Sequence, residues 1–119
     1  AVGRLVDKVA KEQDKRVVFI ASTALSHALV RGPEQWPTEE EQKLDARLTE
    51  LICTGEIDKA IAWLPEYVKL ATAEMGGRVL AGFFGAASTL TGPDFQAHTF
   101  GNYAQSSGSG NRSVAVTKN

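Results

Sequence analysis

The sequence predicts an α/β fold on three observations. An amphipathic stretch of helical period opens the chain, a short β-branched apolar run follows it, and further helical stripes precede a β-like C-terminal region. Over Val2 to Gln13, the residues Val2, Leu5, Val6, Val9 and Ala10 fall on one helical face. Arg4, Asp7, Lys8, Lys11 and Glu12 lie largely elsewhere. The run Arg16-Val17-Val18-Phe19-Ile20-Ala21-Ser22 suits a strand buried on both faces, as in an α/β sheet. Ser22 to His27 then sets polar groups just beyond its carboxyl end, where loops hold ligand-binding side chains over a rigid sheet edge. Gly32-Pro33 and Trp36-Pro37 break the chain after it.

Thr38 followed by Glu39, Glu40 and Glu41 predicts a capping box with negative charge in the first helical turn. Leu44, Leu48, Leu51 and Ile52 continue that helix as a stripe, and Gly55 stands where a terminating glycine is expected. Glu56 to Leu64 predicts a shorter helix ending before Pro65, with a further one from Glu66 to Leu70. Another is expected from Glu74 to Ala87. It contains Gly76, Gly77, Gly82 and Gly85, each costing an exposed helix roughly 1 kcal/mol relative to alanine. That many glycines predicts close packing against other backbone or against a site. Phe95 to Gln105 and Ser113 to Val116 are strand candidates, joined by Ser106 to Asn111 as either a flexible link or a tight turn. There is no internal repeat.

The balance of 13 basic against 14 acidic residues, with no basic stripe, gives no support to a nucleic-acid surface. No apolar run approaches the roughly 18–20 residues of a membrane span, so no membrane partner is expected. The start, Ala1-Val2-Gly3-Arg4, lacks a signal peptide's basic and apolar regions and has no methionine, which predicts a processed or truncated chain. The single cysteine, Cys53, has no internal disulfide partner and lies in an apolar helical stretch, compatible with a reducing compartment; a cytoplasmic location is expected.

Two histidines occur, His27 and His98. Histidine suits proton transfer because its unperturbed pKa, about 6.5, lies near neutrality. A lone histidine is more often a hydrogen-bonded structural residue, and His98 is read as structural. Glu74 is either a solvated carboxylate at a helix start or a metal ligand opening a glycine-lined helix. Together with His27 and His98 it has the residue types of a two-histidine, one-carboxylate iron site, although the spacing does not favour that set. The Ser106 to Asn111 stretch lacks the lysine and the setting of a phosphate loop. Trp36 and Trp63 are read as packing residues.

Four pieces occur in the order of one family. Val17 to Ala21, running into Ser22-Thr23-Ala24-Leu25-Ser26-His27, resembles the strand-plus-Ser-His motif of class III extradiol ring-cleaving dioxygenases. Leu44-Asp45, then Leu48, then Gly55-Glu56-Ile57 is similar to that family's helix with its closing Gly-Glu or Gly-Asp pair. Leu64-Pro65-Glu66-Tyr67 followed by Ala73-Glu74-Met75-Gly76-Gly77 resembles the approach to its iron-binding glutamate. Tyr103-Ala104-Gln105-Ser106-Ser107-Gly108-Ser109-Gly110 resembles the closing strand and turn of the homoprotocatechuate 2,3-dioxygenase and 2-aminophenol 1,6-dioxygenase group. The likeness runs from about Lys15 to Val116. Thr23 departs from it, standing where a glycine is common, and so does Met75-Gly76-Gly77-Arg78.

The resemblance implies the C-terminal part of a larger α/β domain with a central mixed β-sheet flanked by helices, because the family's domain is more than twice as long. It implies an Fe(II) cofactor with Glu74 as the carboxylate ligand and two histidine ligands outside this chain. His27 is implied as the acid/base residue beside the metal rather than bound to it. Substrates would be a catechol-type diol or 2-aminophenol together with O₂, in a homo- or hetero-oligomer. Alone, this chain is not expected to hold iron tightly or to turn over. A non-catalytic homologous subunit and a small α/β interaction domain are the alternatives.

Overall fold

The computed structural model describes residues 1–29, 35–90, 93 and 95–118. In chain order they form α1 (Val2–Glu12), α2 (Glu39–Cys53), α3 (Ile57–Leu70), a 3-10 turn (Glu74–Gly77), α4 (Arg78–Ala87), β1 (Phe95–Ser106) and β2 (Ser109–Lys118). Helices packed with a small sheet make this α/β in the broad sense. The sheet among the described residues is a two-stranded antiparallel hairpin. The Gly32-Pro33 breaker lies outside the described residues.

Helix α2 begins where its capping chemistry dictates. The Thr38 hydroxyl accepts from the Glu41 amide at 3.2 Å, and the Glu41 carboxylate accepts from the Thr38 amide at 2.8 Å. It ends at Gly55, whose φ of 76° lets the Gly55 and Glu56 amides fold back onto the carbonyls of Ile52 and Leu51. Asp45, Leu48 and Ile52 form its buried face. They pack with Ile57, Ala60 and Tyr67 of α3 and with Leu80 and Phe84 of α4 in one core.

Three local expectations are corrected by this packing. Helix α3 runs unbroken through Pro65. Proline removes one backbone donor, but burial of Ala60 before it and Tyr67 after it holds both halves in one helix. The helix expected from Glu74 starts only at Arg78. Met75, Gly76 and Gly77 take φ values of 53°, 62° and 70°, so a left-handed 3-10 turn precedes α4. Within α4 the glycines do serve close approach, since Gly3 of α1 sits against the backbone of Gly82, Gly85 and Ala86, where a Cβ would not fit. The apolar face of α1 is the third correction: Val2, Leu5 and Val9 remain exposed, and Gly3 is its buried residue.

Strands β1 and β2 pair from Phe95↔Lys118 to Ser106↔Ser109, with a register shift between Phe100 and Ala104 that Gly101 accommodates at φ 63°. Ser107 and Gly108, at φ 51° and 82°, make the tight turn; the remaining residues of the glycine-rich link belong to the strands.

The largest departure from expectation concerns Arg16–Ser22. It joins no strand among the described residues, and Val17, Val18 and Ile20 are 53%, 85% and 82% exposed. Only the residues after it reach β2: the Leu25 amide donates to the Gly110 carbonyl at 2.8 Å, and the Gly110 amide to the Ser26 carbonyl at 2.9 Å. Residues 15–21 and 114–118 line a cavity of about 790 Å³ together with Val6 and Ala10 of α1 and Phe83 and Ala86 of α4. Strand hydrogen bonds need a neighbouring edge within about 5 Å, and among the described residues Arg16–Ser22 pairs with none. Among the described residues no helix is long and apolar enough to cross a membrane.

Candidate functional site

The loop that carries His27 is also the loop that grips Glu74. Thr23 donates its hydroxyl to Glu74 Oε2 at 2.9 Å, and the Ala24 amide donates to the same oxygen. In return the Glu74 amide donates to the Leu25 carbonyl at 3.3 Å. Thr23, at the position where the resembled family often has glycine, therefore has a definite use here. His27 forms an antiparallel bridge with Ser109, and its amide reaches the Ala71 carbonyl at 3.4 Å. The loop is thus tied on one side to β2 and on the other to the end of α3 and the left-handed turn.

These contacts set the charge state of Glu74. The Ala24 amide, then the Thr23 hydroxyl, hold its carboxyl below the ordinary value of 4.5; partial burial opposes them, and the neighbouring His27 imidazole adds to the lowering. Glu74 is half-buried, so one face of an ionised carboxylate remains accessible. The Nδ1 atom of His27 is buried without a hydrogen-bond partner. A buried ring nitrogen with no partner is uncommon.

His98 does not join them. It lies exposed on β1, opposite Ala115. Among the described residues no group of three or more His, Cys, Asp or Glu side chains gathers closely enough to hold a metal ion. The self-contained set of His27, His98 and Glu74 is therefore not formed. Glu74 is half-buried, and one of its oxygens is braced by the Thr23 hydroxyl and the Ala24 amide. Iron would require further ligands from outside this set.

Behind His27 lies a second constellation. Asp45 is fully buried and accepts four hydrogen bonds. Its Oδ1 takes the Ser26 amide at 3.1 Å and the Tyr67 hydroxyl at 2.7 Å. Its Oδ2 takes the Ser26 hydroxyl at 2.7 Å and the Tyr103 hydroxyl at 2.6 Å. Burial, and then the Asp45 charge and hydrogen bond, push the Tyr67 phenol far above its ordinary value; burial and the bond to Asp45 likewise raise Tyr103. Ser26, Asp45, Tyr67 and Tyr103 all stand in the motifs that carry the family resemblance, but nothing in the sequence gives them a common role. The one available signal was an aspartate at the i position of a buried i, i+3, i+7 set with Leu48 and Ile52. Trp63 packs beside Tyr67 with ring centroids 5.4 Å apart, and the Arg47 guanidinium lies 4.6 Å from the Trp63 centroid. Trp36 lies near Tyr103, with centroids 6.2 Å apart. Trp63 is half-buried against the core, whereas Trp36 is 50% exposed.

No model of a known protein family matches the chain, and no curated protein matches it.

Proposed function

We propose that this chain is the C-terminal portion of an extradiol ring-cleaving dioxygenase, with Glu74 as the carboxylate ligand of Fe(II) and His27 as the acid/base residue beside it. The observation that supports this reading is the shared loop: residues 23 and 24 brace Glu74, and three residues later the same loop presents His27. Two histidine ligands would come from the remainder of the domain, whose strands would also complete a central mixed sheet around Arg16–Ser22. Iron, when bound by such a three-ligand face, would hold the aromatic substrate and O₂ side by side and pass electron density between them.

This chain's own residues would do the rest. Glu74, kept ionised by Ala24 and Thr23, supplies negative charge to the cation without competing for a proton at neutral pH. His27 takes the hydroxyl proton of a catechol or 2-aminophenol and returns it later in the reaction. Cleavage beside the diol places both atoms of O₂ in the ring-opened product.

The test uses the full-length, iron-loaded protein, with iron analysis and a colour assay for ring-opened product. His27→Ala is expected to lower turnover by about 10²–10⁴-fold with iron content unchanged. Glu74→Ala is expected to empty the metal site first. Normal turnover per bound iron in His27→Ala would refute the assignment of His27. A full-length protein that binds no iron and opens no ring would instead be a non-catalytic subunit or an interaction domain.

A further inference from the structure

We propose that Asp45 is a positioning residue: by clamping Ser26 it sets the orientation of His27 in the loop that also braces Glu74. The inference rests on the reading of His27 and Glu74 as a functional pair. It concerns a carboxylate to which that reading assigns no part.

Every polar atom of Ser26 is engaged. Its amide and hydroxyl both donate to Asp45, one to each oxygen, and its carbonyl accepts from the Gly110 amide. Residue 26 therefore has neither backbone nor side-chain freedom, and His27 is the next residue. The His27 ring has no such anchor of its own, because its buried Nδ1 is unpartnered. Its orientation has to be imposed through the backbone, which is held at residue 26 by Asp45 and at residue 27 by the Ala71 carbonyl and the bridge to Ser109.

The clamp is rigid because it joins four elements. Asp45 projects from α2, Tyr67 from α3, Tyr103 from β1 and Ser26 from the strand-end loop, and their four hydrogen bonds divide two to each carboxylate oxygen. Gly110 of β2 makes room for it, since a Cβ there would overlap Tyr103 Oη and Asp45 Oδ2. Burying a carboxylate costs desolvation free energy that an apolar side chain at the same place would not incur. An apolar residue would fill the volume but would give Ser26 no directed bonds. Direction is what the carboxylate contributes.

The test reads His27 without iron, substrate or turnover. His27 and His98 are the two histidines of the chain, and His98 is exposed on β1, so their ring C–H resonances give a probe and an internal reference. In the native background, Glu74→Gln is expected to shift the His27 signal and leave His98 in place. In an Asp45→Asn background the same substitution is expected to leave His27 nearly unmoved, because the ring no longer holds its place beside residue 74. An Asp45→Asn chain that melts at lower temperature but keeps the full His27 response would overturn the proposal and leave Asp45 a stabilising residue only. If Asp45→Asn does not fold, Tyr103→Phe removes one donor, keeps the carboxylate and is read in the same way. A reduced response supports the clamp, and an unchanged one refutes it. A native chain in which Glu74→Gln leaves His27 unmoved refutes it as well. Failure of the full-length protein to bind iron or open a ring would leave all these readings intact.

Discussion

Single residues carry the clearest consequences. Tyr67 and Tyr103 are the chain's two tyrosines, and both donate to Asp45. Their phenols are raised above 10.0 by burial first and by Asp45 next. Above that value the unfolded chain has released protons that the folded chain retains, so stability falls as pH rises past about 10. Alkaline titration is expected to show no tyrosinate absorbance until the far-ultraviolet circular dichroism is lost. Tyrosinate appearing in a folded chain would contradict the bonds described. Tyr67→Phe removes a fully buried donor to a charged acceptor and is expected to lower stability by about 1.5–3 kcal/mol in denaturant titration. Glu74 has the opposite sign: its carboxyl is lowered, so its contribution is complete above about pH 4.5 and is lost as pH falls through the lowered folded value. Glu74→Gln should flatten that part of the acid limb. At this scale His27 and Glu74 were singled out by resemblance to short motifs, and what the structure adds is that residues just before His27 brace Glu74. The Asp45 clamp was not legible, because positions 26, 45, 67 and 103 meet only after four elements have packed.

Elements were legible where their ends are set by local chemistry. The capping box at Thr38 and the glycine at 55 act through residues within one turn, and α2 has the expected extent. Pro65 was misread for the converse reason: the cost of a missing donor is local, whereas the burial that offsets it comes from distant partners. Gly76 and Gly77 were misplaced in a helix that begins only at Arg78, while Gly82 and Gly85 serve the close approach expected of them. The β-turn gives an element-scale prediction. Ser107 adopts a left-handed φ of 51° beside Gly108 at 82°, and Asn-Gly is the pair best suited to such a hairpin. Ser107→Asn is expected to raise stability by a few tenths to about 1 kcal/mol, read as an increased midpoint in thermal unfolding. A decrease would mean that the serine hydroxyl has a use beyond the turn.

For the whole molecule, the sequence distinguished helical from β-like regions but not which strands find partners. The run Arg16–Ser22 has the composition of a central strand, yet composition says nothing of whether a neighbouring edge lies within reach. Among the described residues that edge is missing, and Val17, Val18 and Ile20 stay in water while the Phe19 ring rests against Gly82 of α4. Amide hydrogen exchange should therefore be fast over residues 17–21 and slow over the paired part of β2, from Ser109 to Val116. Strong protection of 17–21 in a dilute monomer would refute the open arrangement. In concentrated solution, Val18→Lys should reduce self-association, because it places a charge on the most exposed apolar position of the run.

Leu25 and Ser26 exchange backbone hydrogen bonds with Gly110, and His27 is bridged to Ser109. A change that displaces the β2 backbone at residue 110 therefore reaches residue 27 through a single peptide unit, without touching its ring.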